Sequence, residues 1–130
     1  MPYLHAKHFT LGEAQDLVAR VRPLVEEMVE MKRRLDERGF DIARHQHFGG
    51  VGPNGDRYFP RDLERLVEIL KELDALGIQV KGIDQGLIDF PHLRRNGEEV
   101  YLCFRAGEPE ITAWHSIEAG FAGRRPLAEL

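Results

Sequence analysis

His115 stands in the part of the chain that is richest in groups able to hold a metal ion. Three glutamates lie close to it in sequence, namely Glu108, Glu110 and Glu118. An imidazole nitrogen and carboxylate oxygens together suit zinc, iron or manganese, and a catalytic metal site keeps one coordination position open for water. The spacing therefore points to a candidate divalent-metal site centred on His115.

Strand alternation decides which carboxylates can approach His115. Along a regular strand over residues 111–115, Ile111 and His115 share one face, whereas Glu110 points to the other face. Glu110 is therefore a poor companion for the histidine. Glu118 becomes a neighbour of His115 if the chain turns helical after the strand, because residues three apart meet on a helix.

Two further carboxylates can reach His115 from other parts of the predicted sheet. Asp89 can arrive from a neighbouring strand, and Glu108 can reach in from the turn that precedes the strand of His115. We predict a metal site of His115, Glu118 and Asp89, with Glu108 as a fourth ligand. In a catalytic site the metal would activate water, Glu118 or Glu108 would carry the proton, and an arginine would hold an anionic substrate.

The same residues support a second interpretation, in which the cluster is structural. A histidine on an apolar strand face is commonly a buried, hydrogen-bonded core residue, and Asp89 before Phe90-Pro91 can bond backbone amides of a turn. Glu118 would then be a solvated charge. Under this interpretation the protein is a non-catalytic helical scaffold or interaction module with a buried hydrogen-bond network. Both interpretations stay open at the level of sequence.

Two further groups are candidates for metal or anion binding. His45 and His47 can lie on one side of an extended segment and form a secondary metal site, although nothing nearby in sequence supplies a third ligand. Two exposed imidazoles in a loop are the alternative. Arg124 and Arg125 follow two glycines and offer guanidinium groups to a phosphate or carboxylate, unless they pair with the carboxylate cluster itself.

The other reactive side chains receive no predicted chemical role. His5 and His8 are expected in a frayed N-terminus, and His92 in a turn. Cys103 is the only cysteine, which excludes an intrachain disulfide and a multi-thiolate zinc site. It stands inside a predicted strand, where burial suppresses thiol reactivity. The glycine-rich segments lack a complete phosphate-binding motif, so no nucleotide or flavin is expected.

A long N-terminal helix opens the predicted fold. Thr10 and Glu13 form a capping box, and apolar residues then recur at steps of three and four from Ala14 to Leu35. Pro23 interrupts the helix without shifting the phase of this apolar seam, so we predict one kinked helix. Gly39 is the expected stop signal.

A shorter second helix and a small sheet complete the prediction. Pro60 suits its first turn, a leucine stripe follows, and Gly77 ends it. The two helices form an antiparallel hairpin over residues 10–76, joined by a Gly-rich loop at 39–59. Alternating segments predict three or four antiparallel strands within 78–115, one of which is expected to stop at Pro91. With an irregular tail at 116–130, this is a single α+β domain over residues 1–130.

Composition limits the classes of partner. The chain carries 22 acidic and 18 basic side chains, for a net charge of −4, which argues against nucleic acid as a partner. No apolar run is long enough to span a membrane, and the N-terminus lacks the apolar region of a signal peptide, so we expect a cytoplasmic protein. The first helix is about twice as long as the second, which leaves part of its seam bare in an intrachain hairpin. We therefore predict a homo-oligomer formed through this helical seam.

Five short motifs follow one another in the C-terminal half of the chain. They are Gly86-Leu87-Ile88-Asp89-Phe90-Pro91, Val100-Tyr101-Leu102-Cys103, Gly107-Glu108-Pro109-Glu110, Trp114-His115 and Gly120-Phe121-Ala122-Gly123-Arg124. Together with the long amphipathic helix, this series resembles the bacterial family catalogued as domain of unknown function 2203. The resemblance implies a small cytoplasmic bacterial protein and implies no established activity.

Overall fold

The computed structural model of the protein describes residues 3–40 and 61–130. His45 and His47, together with residues 41–59 of the predicted Gly-rich loop, lie outside the described residues. The described part is an α+β fold, in which two helices are followed by a small antiparallel sheet. This is the fold class that the sequence predicts.

Helix α1 spans Leu11–Glu37 and begins with the predicted capping box. The Thr10 hydroxyl accepts a hydrogen bond from the backbone N–H of Glu13, and the Glu13 carboxylate accepts one from the backbone N–H of Thr10. These two bonds satisfy amides that a helix N-terminus otherwise leaves without partners. Pro23 lies within the helix, which continues through it as one element.

Helix α2 spans Arg61–Ala75 and packs antiparallel against α1. The direction follows from two ion pairs, because Asp62 bonds Arg38 just after the end of α1, whereas Arg65 bonds Glu27, about three turns earlier in α1. A Schellman motif ends α2 at Gly77, which has a φ of +87°. The predicted helical hairpin and its glycine stop are therefore present.

The sheet has five antiparallel strands in the order β1-β2-β3-β4-β5, one more than the upper estimate from sequence. The additional strand is a two-residue segment of the tail, which also carries two short 3-10 helices at Phe121–Gly123 and Leu127–Glu129. The five strands are β1 Gln79–Gly82, β2 Leu87–Leu93, β3 Glu99–Arg105, β4 Ala113–Ser116 and β5 Arg125–Pro126.

The prediction that the second strand stops at Pro91 is wrong. Strand β2 continues to Leu93, and Pro91 is paired with Tyr101 on β3. The Pro91 carbonyl accepts a hydrogen bond from the backbone N–H of Phe9 at 2.7 Å. Because the nitrogen and carbonyl of one strand residue point to the same side, the proline nitrogen also faces away from β3. The missing N–H therefore costs no bond of the β2–β3 ladder.

The two faces of the sheet have different roles. Residues directly opposite each other on antiparallel strands share a face, and Phe90, Leu102 and Trp114 form such a row across β2, β3 and β4. This inner face joins the hydrophobic core with the helices. The alternate residues of the same strands point to the outer face, and the candidate site is there.

Most of the apolar seam of α1 is buried within the single chain. Its core positions are at most 7% exposed, because α2 and the inner face of the sheet cover them. The sheet therefore supplies much of the cover that the shorter α2 does not, while Leu17 and Leu24 are only partly buried. Self-association through the helical seam stays a prediction. The buried positions of α1 are Ala14, Val18, Val21, Val25, Met28, Met31 and Leu35.

Candidate functional site

Three side chains able to bind a metal ion converge on the outer face of the sheet. Asp89 of β2 lies opposite Cys103 of β3, and His115 of β4 lies opposite Tyr101, two residues before Cys103. One ligand atom from each of Asp89, Cys103 and His115 lies within 4.8 Å of the other two. The three residues are at most 3% exposed. Each strand thus contributes one side chain to a single buried cluster.

Both ring nitrogens of His115 face hydrogen-bond acceptors. Nδ1 lies 2.7 Å from the backbone carbonyl oxygen of Ser116, and Nε2 lies 3.0 Å from Oδ2 of Asp89. A carbonyl oxygen only accepts, so Nδ1 must carry a hydrogen. The other nitrogen and the carboxylate oxygen then both present lone pairs to each other. Their contact needs either a proton or a metal ion between them.

The surroundings shift the pKa values of two members of the cluster. Burial, the largest influence on His115, lowers its pKa, but the hydrogen bonds to Asp89 and Ser116 together outweigh it and leave the pKa raised. Burial, followed by the negative charge of Asp89, raises the pKa of the Cys103 thiol to about 12. In the absence of a metal ion the thiol is therefore protonated at neutral pH.

The structure brings together two of the four predicted metal ligands, His115 and Asp89. Glu118 is exposed in the turn after β4, and no described helix carries it towards His115. Glu108 is partly buried and accepts hydrogen bonds from the backbone N–H of Arg105 and from the Arg124 guanidinium. Both glutamates therefore lie outside the cluster of ligand atoms, and its third member is Cys103.

The strand that carries His115 is shorter than expected, so Ile111 and His115 do not share a face. Strand β4 begins at Ala113, and Ile111 belongs to the core beside the helices. The Gln15 side chain of α1 bonds both the N–H and the carbonyl of Ile111, at 2.9 Å each. These bonds hold the backbone against α1 in place of a strand partner.

Of the two arginines proposed for anion binding, Arg124 is paired with a carboxylate, and neither lines the cavity beside the ligand cluster. Arg124 donates to both carboxylate oxygens of Glu108, at 3.0 and 3.1 Å, and its guanidinium stacks on Phe121. Arg125 lies over the ring of Trp114. Pairing with a carboxylate, the alternative considered for these residues, is what the structure shows for Arg124.

A cavity of about 150 Å³ opens beside the ligand cluster. Its walls combine the three ligand residues, one cationic side chain and several apolar ones, and the tail segment after β4 forms part of its rim. The cavity therefore offers space for a further ligand next to the cluster. The lining residues are Lys81, Leu87, Asp89, Tyr101, Cys103, His115, Ile117, Gly120 and Phe121.

A family model described as "Uncharacterized conserved protein (DUF2203)" matches residues 7–127. The chain belongs to the DUF2203 family. The match extends over both described helices and all five described strands of this DUF2203 protein, in agreement with the resemblance noted from its motifs. No curated protein and no solved structure matches the chain. The family description names no reaction, so the function has to come from the site.

Sequence reasoning missed Cys103 as a member of the site of this DUF2203 protein, although one signal could have found it. The Asn96-Gly97 turn closes the hairpin of β2 and β3, with Leu93 opposite Glu99. Counting outward from that turn places Cys103 directly opposite Asp89. Taken alone, a cysteine inside a predicted strand indicates only a buried and unreactive thiol.

The N-terminal segment of this DUF2203 protein is hydrogen-bonded to the sheet, so the expectation of a frayed N-terminus is wrong. The Glu99 carboxylate accepts hydrogen bonds from the backbone N–H groups of Leu4 and His5 and contacts Nε2 of His8 at 2.7 Å. The His5 ring lies 2.5 Å from the Tyr101 hydroxyl, next to the cavity.

Among the described residues, no helix is long and apolar enough to cross a membrane.

Proposed function

We propose that this DUF2203 protein binds one divalent metal ion, with zinc preferred, through Asp89, Cys103 and His115. The observation that carries the proposal is the hydrogen bond of His115 Nδ1 to the Ser116 carbonyl. When the ring is neutral, this bond fixes the tautomer in which Nε2 presents a lone pair towards Asp89, which is the form that binds a metal ion. Metal-binding histidines commonly have their second nitrogen held by a carbonyl or carboxylate in this way.

The donor set supports zinc over the other metals considered. Nitrogen, sulfur and oxygen ligands from His, Cys and Asp are the usual partners of zinc, whereas a thiolate does not suit magnesium or calcium. Zinc would hold the Cys103 sulfur as a thiolate, which offsets the cost of removing a proton from a buried thiol. Iron and manganese remain alternatives for the oxygen and nitrogen ligands.

Three protein ligands beside a cavity are typical of a catalytic metal site. Such a site leaves the fourth position to water or substrate, and the metal lowers the pKa of the bound water to about 7. The open position here would face the cavity lined by Tyr101 and Lys81. We therefore propose a hydrolytic reaction for this site, with neither Glu118 nor Glu108 as its proton carrier.

A second candidate function is supported by the distance between His115 and Asp89. His115 Nε2 lies 3.0 Å from Asp89 Oδ2, which is hydrogen-bond distance, so a proton on Nε2 is sufficient to join the two side chains without a metal ion. In this alternative the cluster is a structural ion pair with a nearby thiol, and the protein is a non-catalytic scaffold. The two candidates differ in whether the cluster takes up a metal ion.

Metal analysis of untagged protein, purified under reducing conditions, tests the proposal. We expect about one zinc ion per chain, and we expect that chelation followed by reconstitution restores it. Asp89→Asn should lose the metal. Asp84→Asn should keep it, because Asp84 is exposed and pairs with Lys32 on the surface. If the purified protein lacks metal and zinc, iron and manganese all fail to bind, the structural ion pair is the correct function of the cluster.

Location and assembly belong to the same proposal. A cysteine ligand must stay reduced, which fits the cytoplasm of a bacterial cell. A homo-oligomer would use exposed apolar side chains, such as Val67 or Phe121, together with the partly buried Leu17 and Leu24 of the α1 seam. Sedimentation at several concentrations measures this assembly directly.

A further inference from the structure

The cavity beside the ligand cluster has one cationic side chain and an apolar wall. Beyond the three ligand residues, it is lined by Lys81 and by Leu87, Ile117, Phe121 and the ring of Tyr101. We infer that this cavity binds a small organic carboxylate, with its carboxylate at Lys81 and its apolar body against Phe121 and Ile117. The inference rests on the proposed function where it places the carboxylate beside the metal ion.

Lys81 is available to bind an anion. Its ammonium lies 4.6 Å from the centre of the Tyr101 ring. Within residues 3–40 and 61–130, no carboxylate forms an ion pair with it. A cation over an aromatic face is held in place by the ring but keeps its hydrogen-bond donors for other partners.

A β-bulge directs Lys81 to the cavity. Val80 is opposite Ile88 and Gly82 is opposite Leu87, so Lys81 is the additional residue in β1. Bulges of this kind re-aim side chains and are frequent beside functional sites. Gly82 allows the arrangement, because a Cβ there would lie 2.7 Å from the Gln85 side chain and 3.2 Å from that of Leu87.

The charges around the cavity favour a single negative charge on the ligand. With zinc bound, Asp89 and the Cys103 thiolate balance the two positive charges of the ion. Lys81 is then the remaining positive charge among the described lining residues. A ligand with one negative charge therefore neutralises the charge of Lys81, whereas a ligand with two would leave the site with a net negative charge.

The size and donors of the cavity favour a carboxylate over a phosphate. A volume near 150 Å³ corresponds to a ligand about the size of a benzene ring. Phosphate recognition usually employs several donors or a guanidinium fork. The Arg124 guanidinium is bonded to Glu108, so it does not supply that fork. An aromatic or branched carboxylate of about six to nine heavy atoms fits both the volume of the cavity and its single cationic donor.

Calorimetric titration with benzoate tests the inference, with benzamide and inorganic phosphate as comparison ligands. We expect benzoate to bind the zinc-loaded protein, and benzamide and phosphate to bind at least about tenfold more weakly. Lys81→Met keeps the apolar stem of the side chain and should weaken benzoate binding about tenfold or more. Lys71→Met is the matched control, because Lys71 is an exposed lysine of α2 that does not line the cavity.

A second variant tests the cavity without changing charge. Ile117→Trp places a larger side chain in the wall and should abolish benzoate binding, while a thermal unfolding scan verifies that the variant is folded. Unchanged benzoate affinity in Lys81→Met or in folded Ile117→Trp would overturn the inference, as would failure of benzoate to bind the wild type.

The same titrations separate the inference from the proposed function. They are repeated on protein stripped of metal by a chelator, in which Lys81 is still uncompensated. If zinc binds at the cluster but benzoate does not bind, the carboxylate site is wrong and the metal site stands. If zinc does not bind but benzoate binds through Lys81, the metal site is wrong and the carboxylate site stands.

Discussion

Asp89 and Cys103 lie directly opposite each other on β2 and β3, on the face of the sheet that is turned away from the helices. Opposite residues of an antiparallel pair have their Cβ atoms about 5 Å apart, so the carboxylate and the sulfur are neighbours by register alone. His115 joins them from β4, and its Nε2 contacts Asp89. A hairpin register and one further strand pairing thus assemble a mixed N, O and S donor set.

Substitution of Cys103 tests whether the sulfur is a metal ligand. In cobalt-loaded wild type we expect a thiolate-to-cobalt charge-transfer band. Cys103→Ser should lose that band and bind zinc at least about 100-fold more weakly. Mutation of residues that only hydrogen-bond to metal ligands already lowers metal affinity about 10–100-fold, and loss of a ligand itself should lower it further. Cys103→Ala should behave alike, which separates loss of the sulfur from effects of the hydroxyl. A charge-transfer band that persists in either variant would exclude cysteine ligation.

Substitution of Asp89 tests how strongly the cluster stabilises the metal-free fold. Asp89→Asn removes the negative charge that faces His115 in a buried site, and we expect a loss of about 2–4 kcal/mol in the free energy of unfolding. Urea unfolding in the presence of a chelator measures it. Asp84→Asn, which alters an exposed ion pair with Lys32, should change the same quantity by less than about 1 kcal/mol. Equal effects of the two variants would contradict a buried charge pair.

Acidification should release the N-terminal segment from the sheet. Burial, the largest influence on Glu99, raises its pKa, but the hydrogen bonds from His8, His5 and Leu4 together lower it below the usual value. A carboxyl with a depressed pKa in the folded state stabilises the attachment above its unfolded pKa of about 4.3, and the contribution is lost as pH falls through the folded value. Hydrogen exchange of the Leu4 and His5 amides between pH 7 and pH 3 follows the release.

The matched variants for this attachment are Glu99→Gln and Glu98→Gln. Glu99→Gln should expose the Leu4 and His5 amides already at neutral pH. Glu98 is exposed and pairs with Arg94, so its substitution should leave them protected. Protection that is independent of both pH and Glu99 would show that other contacts hold the segment.

Gly86 should be the least replaceable glycine of the sheet connections. It has a φ of +66°, and an added Cβ would lie 2.5 Å from the Ala106 Cβ and 3.0 Å from Val29. We expect Gly86→Ala to cost about 2–4 kcal/mol, because backbone strain and a clash with α1 combine. Gly107→Ala is the control, since it has a φ of +98° with nothing within 4 Å of its Cβ position, and should cost only about 1–2 kcal/mol. Thermal and urea unfolding compare the two.

Local signals in the sequence determined much of the fold. Thr10 and Glu13 cap α1, Gly77 ends α2, and the Asn96-Gly97 turn closes the β2–β3 hairpin as their residue types predict. These features depend on contacts between residues a few positions apart, which spacing alone reveals. The α+β class followed from the same signals, because the apolar period changes from helix to strand after Gly77.

Tertiary structure decided which of the candidate groups meet. Alternation along an isolated strand placed Ile111 with His115, but the bonds of Gln15 to Ile111 hold that residue against α1. Glu118 needed a helical turn that the described tail does not form, whereas Cys103 needed only the register that pairs it with Asp89. Pro91 lies inside β2 because its nitrogen and carbonyl face away from β3, and the carbonyl accepts a hydrogen bond from the Phe9 N–H instead. The hairpin register is the one part of this outcome that local signals contain. The other contacts depend on partners distant in sequence, so the sequence by itself names the chemical groups but not the whole set that converges.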